Sequence, residues 1–145
     1  MRRQRKCLRL NRDAIATAEL AVCLPLILTI CIATIDLCSA MFLRESLTIA
    51  AYEGARVGVP KGGTNAAATA RVIALLDERN IQYDPGNVVT FSGNGFDGAQ
   101  TLDHVRVTVS VPAATNLISP AKFFGDKQIT AAVTMRKEYA NFENN

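Results

Sequence analysis

Residues 14–43 read AIATAELAVCLPLILTICIATIDLCSAMFL. From Leu20 to Ile35 nothing is charged, yet Glu19 stands near the start of the run, Pro25 six residues later and Asp36 near its end. A helix over Ile15–Leu43 would be about 43 Å long at ~1.5 Å per residue. The hydrocarbon core of a bilayer needs only about 30 Å. The stretch therefore predicts a membrane-spanning helix with length to spare. A carboxylate within such a segment costs roughly 2.5–3.5 kcal/mol at the bilayer centre and by default marks function. Glu19 is the residue to explain.

The flank before the run is basic. Residues 1–13 hold Arg2, Arg3, Arg5, Lys6, Arg9 and Arg12 against Asp13, a net of +5, while the 145-residue chain totals +3, so the remainder carries −2. A short basic block directly ahead of an apolar helix reads as a positive-inside flank, with the amino terminus in the cytoplasm and the carboxy terminus outside. It does not read as a nucleic-acid patch, because Trp is absent and no aromatic residues interleave the charges. The cysteines, Cys7, Cys23, Cys31 and Cys38, lie in the leader and the apolar run, so no disulfide framework supports the remainder. Those in the run are expected to pack as small hydrophobes.

Beyond Leu43 the helix is expected to continue as a stalk to about Val59, with Leu43, Leu47, Ala50, Ala51 and Gly54 forming an apolar stripe. Ala50, Gly54 and Gly58, four apart, form a small-residue ridge that permits close backbone approach, either to a neighbouring helix or to the protein's own fold. Glu53 and Arg56 can form a surface ion pair. Pro60-Lys61-Gly62-Gly63 ends the helix. Thr64 or Asn65 caps a second helix over Ala66–Arg79, with Val72, Ile73, Leu75 and Leu76 on its buried face. Asp84-Pro85-Gly86-Asn87 is a turn, Val88–Phe91 a short strand, and Gly93–Gly98 a loop. Asp103–Val111 and Gln128–Lys137 alternate as strands, the first with Val105, Val107, Val109 and Val111 on one face, the second with Ile129, Ala131, Val133 and Met135 inward. Between them Leu117, Ile118, Phe123 and Phe124 are expected to cover the sheet, and Asn141–Asn145 to fray.

Little points to catalysis. His104 has no second His and no Cys beyond the membrane run to join it in a zinc or Cys–His site. Asn94, Asp97 and Asp103 could offer oxygens to calcium, but the EF-hand spacing is absent. The glycine-rich stretches lack the P-loop Lys-Ser/Thr. Neither an enzyme nor a cofactor is predicted.

A cleaved secretory signal would have a shorter apolar core and a small-residue exit after it. Here the order is a basic leader, Ala14, four apolar or small residues, then Glu19. A cut between Ala14 and Ile15 would make Glu19 the fifth residue, with its carboxylate about 6 Å along the helix from the new amine. In hydrocarbon an unpaired carboxylate is costly and a paired one much less so. The amine of one subunit could neutralise the glutamate of its neighbour and set the axial register, which is the logic of a pilin.

The stretch Ala18–Leu28, then Ile35-Asp36-Leu37, then Ala50-Ala51-Tyr52-Glu53-Gly54-Ala55-Arg56, resembles the TadE-like family, pseudopilins of the tight-adherence pilus system. The family places Glu six residues before Pro, an acidic residue about eleven after it, and an Ala-Ala-x-Glu-Gly-Ala-Arg segment downstream. Ala131–Glu138 looks like its closing strand. Ala14 stands where the family usually has Gly, and Leu20 where it usually has Phe or Tyr. The paralogous TadF-like and TadG-like proteins share much of the helix pattern. The resemblance implies a prepilin peptidase cutting at Ala14–Ile15 and Glu19 as assembly carboxylate. It also implies other pilins or pseudopilins and an assembly platform as partners in the bacterial inner membrane. Pro25 is expected to kink or loosen the helix, which is either an ordinary kink or a segment that stretches as the helix leaves the bilayer. Asp36, about 26 Å beyond Glu19, is expected at the outer interface as a solvated boundary charge.

The expected architecture is α+β. Residues 1–14 form a cleaved leader, 15–60 the membrane helix and stalk, and 61–145 an extracytoplasmic head with a short helix and an antiparallel sheet of about three strands. The alternative is an uncleaved signal-anchored envelope protein whose outer domain binds a partner.

Overall fold

A computed structural model describes residues 4–117 and 127–141, with side chains from residue 14 onward. The leader's side chains, Cys7, Ile118, Phe123, Phe124 and the tail beyond Asn141 lie outside the described residues.

Helix α1 spans Gln4–Gly58, 55 residues, and passes Pro25 without interruption. At ~1.5 Å per residue it is about 82 Å long. Residues 14–35 are exposed throughout, whereas from Leu43 upward the helix buries one stripe. Helix α2, Asn65–Glu78, begins at Thr64, whose hydroxyl accepts from the Ala67 amide at 3.1 Å. That bond satisfies one of the four amides a helix start leaves open. Strands β1 (Val89–Phe91), β2 (His104–Pro112) and β3 (Gln128–Arg136) form an antiparallel sheet in that order, with Val107 paired to both Phe91 and Val133. The expected boundaries of β1 and β2 shift by one residue. One element was not anticipated, a single turn α3 over Ala113–Asn116. Its Asn116 accepts from the Gln82 amide at 2.7 Å and donates to the Gln82 carbonyl at 2.8 Å, clamping the exit of α2.

The sheet's alternation decides which face meets α1. Val105, Val107, Val109 and Val111 are all buried. Val109, Val111 and Ala131 join Leu43, Leu47, Ala50 and Ala51 of α1 and Val72 and Leu76 of α2 in the larger core cluster. A second cluster gathers Ala55, Ala68, Phe96, Ala99, Val105 and Val107.

The small-residue ridge packs within the chain. A side chain at Gly54 would strike Val72 of α2, and one at Gly58 would enter the Phe96 ring. The ridge therefore lets α1 sink onto its own head. Gly58→Ala is expected to lower stability by about 1–3 kcal/mol, the usual result of forcing extra atoms into a packed core. A thermal melt of the full-length protein in detergent, unchanged within a degree, would show that the ring can move aside.

Candidate functional site

The apolar half of α1 absorbs its own hydroxyls. Thr29 donates to the Pro25 carbonyl at 2.8 Å, Thr34 to Ile30 at 2.8 Å and Ser39 to Ile35 at 2.9 Å. These bonds hide polar groups from a surrounding without water. Glu19 has no such partner. It is exposed, and it makes no hydrogen bond or ion pair among the described residues. Ile15, Leu20, Val22 and Leu24 on either side of it are exposed apolar side chains. Ala14 and Ile15 sit in the same continuous helix, both exposed. Cys23, Cys31 and Cys38 are free thiols on its surface.

The downstream residues come together where α1 crosses α2. Glu53 lies 3.8 Å from Arg56 and 3.7 Å from Arg71 of α2. Gly54 meets Val72 and Ala68, and Ala51 and Ala55 are fully buried. The Ala-Ala-x-Glu-Gly-Ala-Arg segment is thus the docking surface of the long helix on the head. Its small residues set the distance, and its partly exposed charges contribute only a few tenths of a kcal/mol each.

Asp36 differs from expectation. It is only 1% exposed, and neither carboxylate oxygen has a hydrogen-bond partner. Asp36 lies seven residues, two turns, before Leu43, on the same side of α1 as the buried Leu43 and Leu47.

The residue that sequence reasoning missed is Lys137, one position beyond β3 and fully buried. Its ammonium donates to the carbonyls of Gly58 at 2.8 Å, Pro60 at 3.1 Å and Gly63 at 3.1 Å. All three N–H bonds are used. The cation also lies 5.7 Å from the centre of the Phe96 ring, within cation–π range. Lys137 therefore caps the carboxy-terminal end of α1, where the helix dipole favours positive charge. Burial pushes its pKa below the ordinary lysine value, and the Asp97 carboxylate pulls it part of the way back. Asn141 completes the clasp, accepting from the Gly62 amide at 2.9 Å and donating to the Gly63 carbonyl at 3.0 Å. The expected fraying thus does not begin at Asn141. The turn itself needs Gly62, whose φ is +81°, and Gly63, which has no room for a side chain against the Gly58 carbonyl.

The loop carboxylates considered for calcium are engaged locally. Asp97 accepts from the Asn65 amide at 3.1 Å and Asp103 from the Gln100 amide at 2.9 Å. Among the described residues no group of three or more His, Cys, Asp or Glu side chains converges.

The chain thus presents an exposed apolar helix segment carrying Glu19, continued by a small-residue segment that docks onto a small α+β head. Residues 14–56 match the model of the family described as TadE-like protein. The long helix is TadE-like. The match covers Glu19, Pro25, Asp36 and the docking segment and ends at Arg56, so the likeness of Ala131–Glu138 to the family's closing strand lies outside it. No curated protein and no solved structure matches the chain. The TadE-like family is one of the tight-adherence pilus system, and residues 14–56 are what this chain shares with it. Residues 14–58 are long and apolar enough to cross a membrane once. With the TadE-like match they point to a single-pass membrane protein.

Proposed function

We propose that this chain is a pseudopilin or minor pilin acting in assembly or initiation of a tight-adherence pilus. One observation carries the reading: Glu19 is an exposed carboxylate, without a partner among the described residues, on an apolar helix whose residues 14–56 match the TadE-like family. A prepilin peptidase cuts between Ala14 and Ile15. The helix then sits in the bacterial inner membrane, amino terminus cytoplasmic and carboxy terminus periplasmic. Residues 15–60 serve as anchor and stalk, and residues 61–145 as the head. The new amine of Ile15 is cationic at neutral pH and pairs with Glu19 of a neighbouring pilin or pseudopilin on the assembly platform. Pairing removes most of the cost of a carboxylate in hydrocarbon and fixes the axial register.

Intact mass measurement on the protein from its native membrane tests the reading. The expected chain begins at Ile15. One beginning at Met1 would leave Glu19 without its amine and favour an uncleaved signal-anchored envelope protein.

A further inference from the structure

Two clefts open where α1 leaves its exposed apolar half and meets the head, one on each flank of the helix. The first, about 520 Å³, has Phe42, Leu43 and Ile81 as an apolar floor, with Ser46, Arg79 and Asn116 beside them. The second, about 470 Å³, is floored by Leu37, Ala40 and Met41 and walled by Arg44, Lys127 and the start of β3. Both volumes fall in the roughly 300–1,000 Å³ of sites that hold small organic groups. The pattern is shared: an apolar floor with an arginine above it. Among the described residues no acid lines either cleft. The acids nearby are engaged or lie outside. Asp77 accepts from the Tyr83 hydroxyl at 3.0 Å and Asp84 from the Gly86 amide at 3.2 Å. Glu45 and Glu78, both exposed, stand outside the two linings.

The height of the two arginines decides what they meet. Ile15–Leu43 is about 43 Å long at ~1.5 Å per residue, and a bilayer with both headgroup layers is about 40–45 Å thick. With Ile15 at one face, Arg44 stands in the headgroup layer of the other. Arg79 stands level with it, because its guanidinium donates to the Ser46 hydroxyl at 2.8 Å. Leu37, Met41 and Phe42, between 54% and 69% exposed, carry the apolar surface of the span up to the cleft floors. The surface is therefore continuous, apolar below and cationic above, as the adjacent leaflet is in mirror image, with chains below and phosphates above.

We infer that the underside of the head is a phospholipid-binding surface. Each cleft takes a lipid of the head-side leaflet, its phosphate on Arg79 or Arg44 and the start of an acyl chain on the apolar floor. The inference rests on the reading that α1 spans a bilayer. Both arginines are exposed. Arg79 has N–H groups to spare beyond the one given to Ser46. The Arg44 side chain makes no hydrogen bond or ion pair among the described residues. A guanidinium offers phosphate two parallel N–H bonds at once, and its stem lies on apolar surface while the charge reaches the interface. Seating the head on the leaflet fixes the height of the helix. Ile15 and Glu19 are then held at the opposite face.

Full-length protein in a non-ionic detergent, titrated with phosphatidylglycerol and read by native mass spectrometry, provides the test. Arg44→Gln and Arg79→Gln are each expected to weaken lipid binding at one cleft by about tenfold, the effect of losing hydrogen bonds from a charged donor. The double variant is expected to lose both sites, since the clefts lie on opposite flanks and act independently. Arg79→Lys keeps the charge and is expected to bind within about threefold of the native protein. Arg56→Gln, which changes a cation higher on α1 already engaged by Glu53, is expected to bind as the native protein does. Diacylglycerol, with the chains but no phosphate, should bind about tenfold more weakly, and inorganic phosphate should not displace the lipid. Native binding by the Arg44→Gln and Arg79→Gln double variant would overturn the assignment. So would equal binding of diacylglycerol, or displacement by inorganic phosphate, which would make the clefts plain anion sites. Failure of the underlying reading looks different. Native protein absent from the membrane fraction of its cells removes the span itself. Protein in that fraction whose lipid binding ignores both arginines removes only the clefts.

Discussion

Lys137→Met is expected to lower the unfolding free energy of the head by about 3–5 kcal/mol, because it leaves three carbonyls without their donor at roughly 1–3 kcal/mol for each that is buried. A small domain has only about 5–15 kcal/mol in total, so the variant should sit close to unfolding at 37 °C. The methionine keeps most of the apolar stem but donates nothing. It strands the carbonyls of Gly58, Pro60 and Gly63 beneath the Phe96 ring. Lys137→Arg should not rescue, because a planar fork cannot converge on three acceptors as a compact ammonium does. The sign of the pH dependence follows from the lowered pKa. The folded state releases this proton before the unfolded chain does, so the unfolded state binds more protons in that window. Stability from Lys137 therefore rises with pH as the ordinary value of 10.5 is approached. The gap between native protein and Lys137→Met should widen toward alkaline pH. Hydrogen exchange on the full-length protein in detergent reads both effects at the β2 and β3 amides. Exchange no faster in the variant at neutral pH would show that the clasp is dispensable.

Much of the scaffold could be read from periodicity. The valines of β2 and the inward residues of β3 fall on the faces their alternation predicts, because one face of the sheet is covered and a one-residue slip would expose every valine. Thr64 was legible as a cap, because a hydroxyl before an alanine-rich helix has few better places to bond. The ridge of Ala50, Gly54 and Gly58 announced close backbone approach but not the partner, since the sequence does not say which surface lies opposite. Lys137 was hidden by its charge. The parity that sends Val133 and Met135 inward also sends Lys137 inward, and only the convergence of three carbonyls at the end of α1 makes that tolerable. Asp36 was misjudged for a related reason. Its distance along the helix suggested a solvated boundary charge, whereas its angle around the helix, shared with Leu43 and Leu47, puts it on the buried side. The segment 118–126 between α3 and β3 and the leader's side chains lie outside the described residues, and with them the covering role expected of Ile118, Phe123 and Phe124.

Glu19→Ala is expected to leave membrane insertion intact and to lower incorporation into pili by about 30-fold or more. Insertion should not suffer, since removing a carboxylate from an apolar helix makes transfer into the bilayer easier. Assembly should suffer twice. The variant loses an ion pair in a medium of low dielectric, and it leaves the neighbour's amine buried without a partner, which costs more than the absent bond alone. A loss of only about 2 kcal/mol per contact is a factor of about 30 in the equilibrium, and each subunit makes the contact with its own neighbour. Glu19→Gln separates charge from size: it preserves the side chain's volume yet cannot neutralise the amine, so it should resemble Ala rather than the native residue. Glu19→Asp keeps the charge and shortens the reach by one methylene, so it should fall between. Membrane fractions probed for the protein, together with pili sheared from the same cells and counted, report the two steps separately. Equal pilus number and composition in Glu19→Ala cells would remove the assembly role from this residue. The apolar helix would then be an anchor that happens to carry an acid.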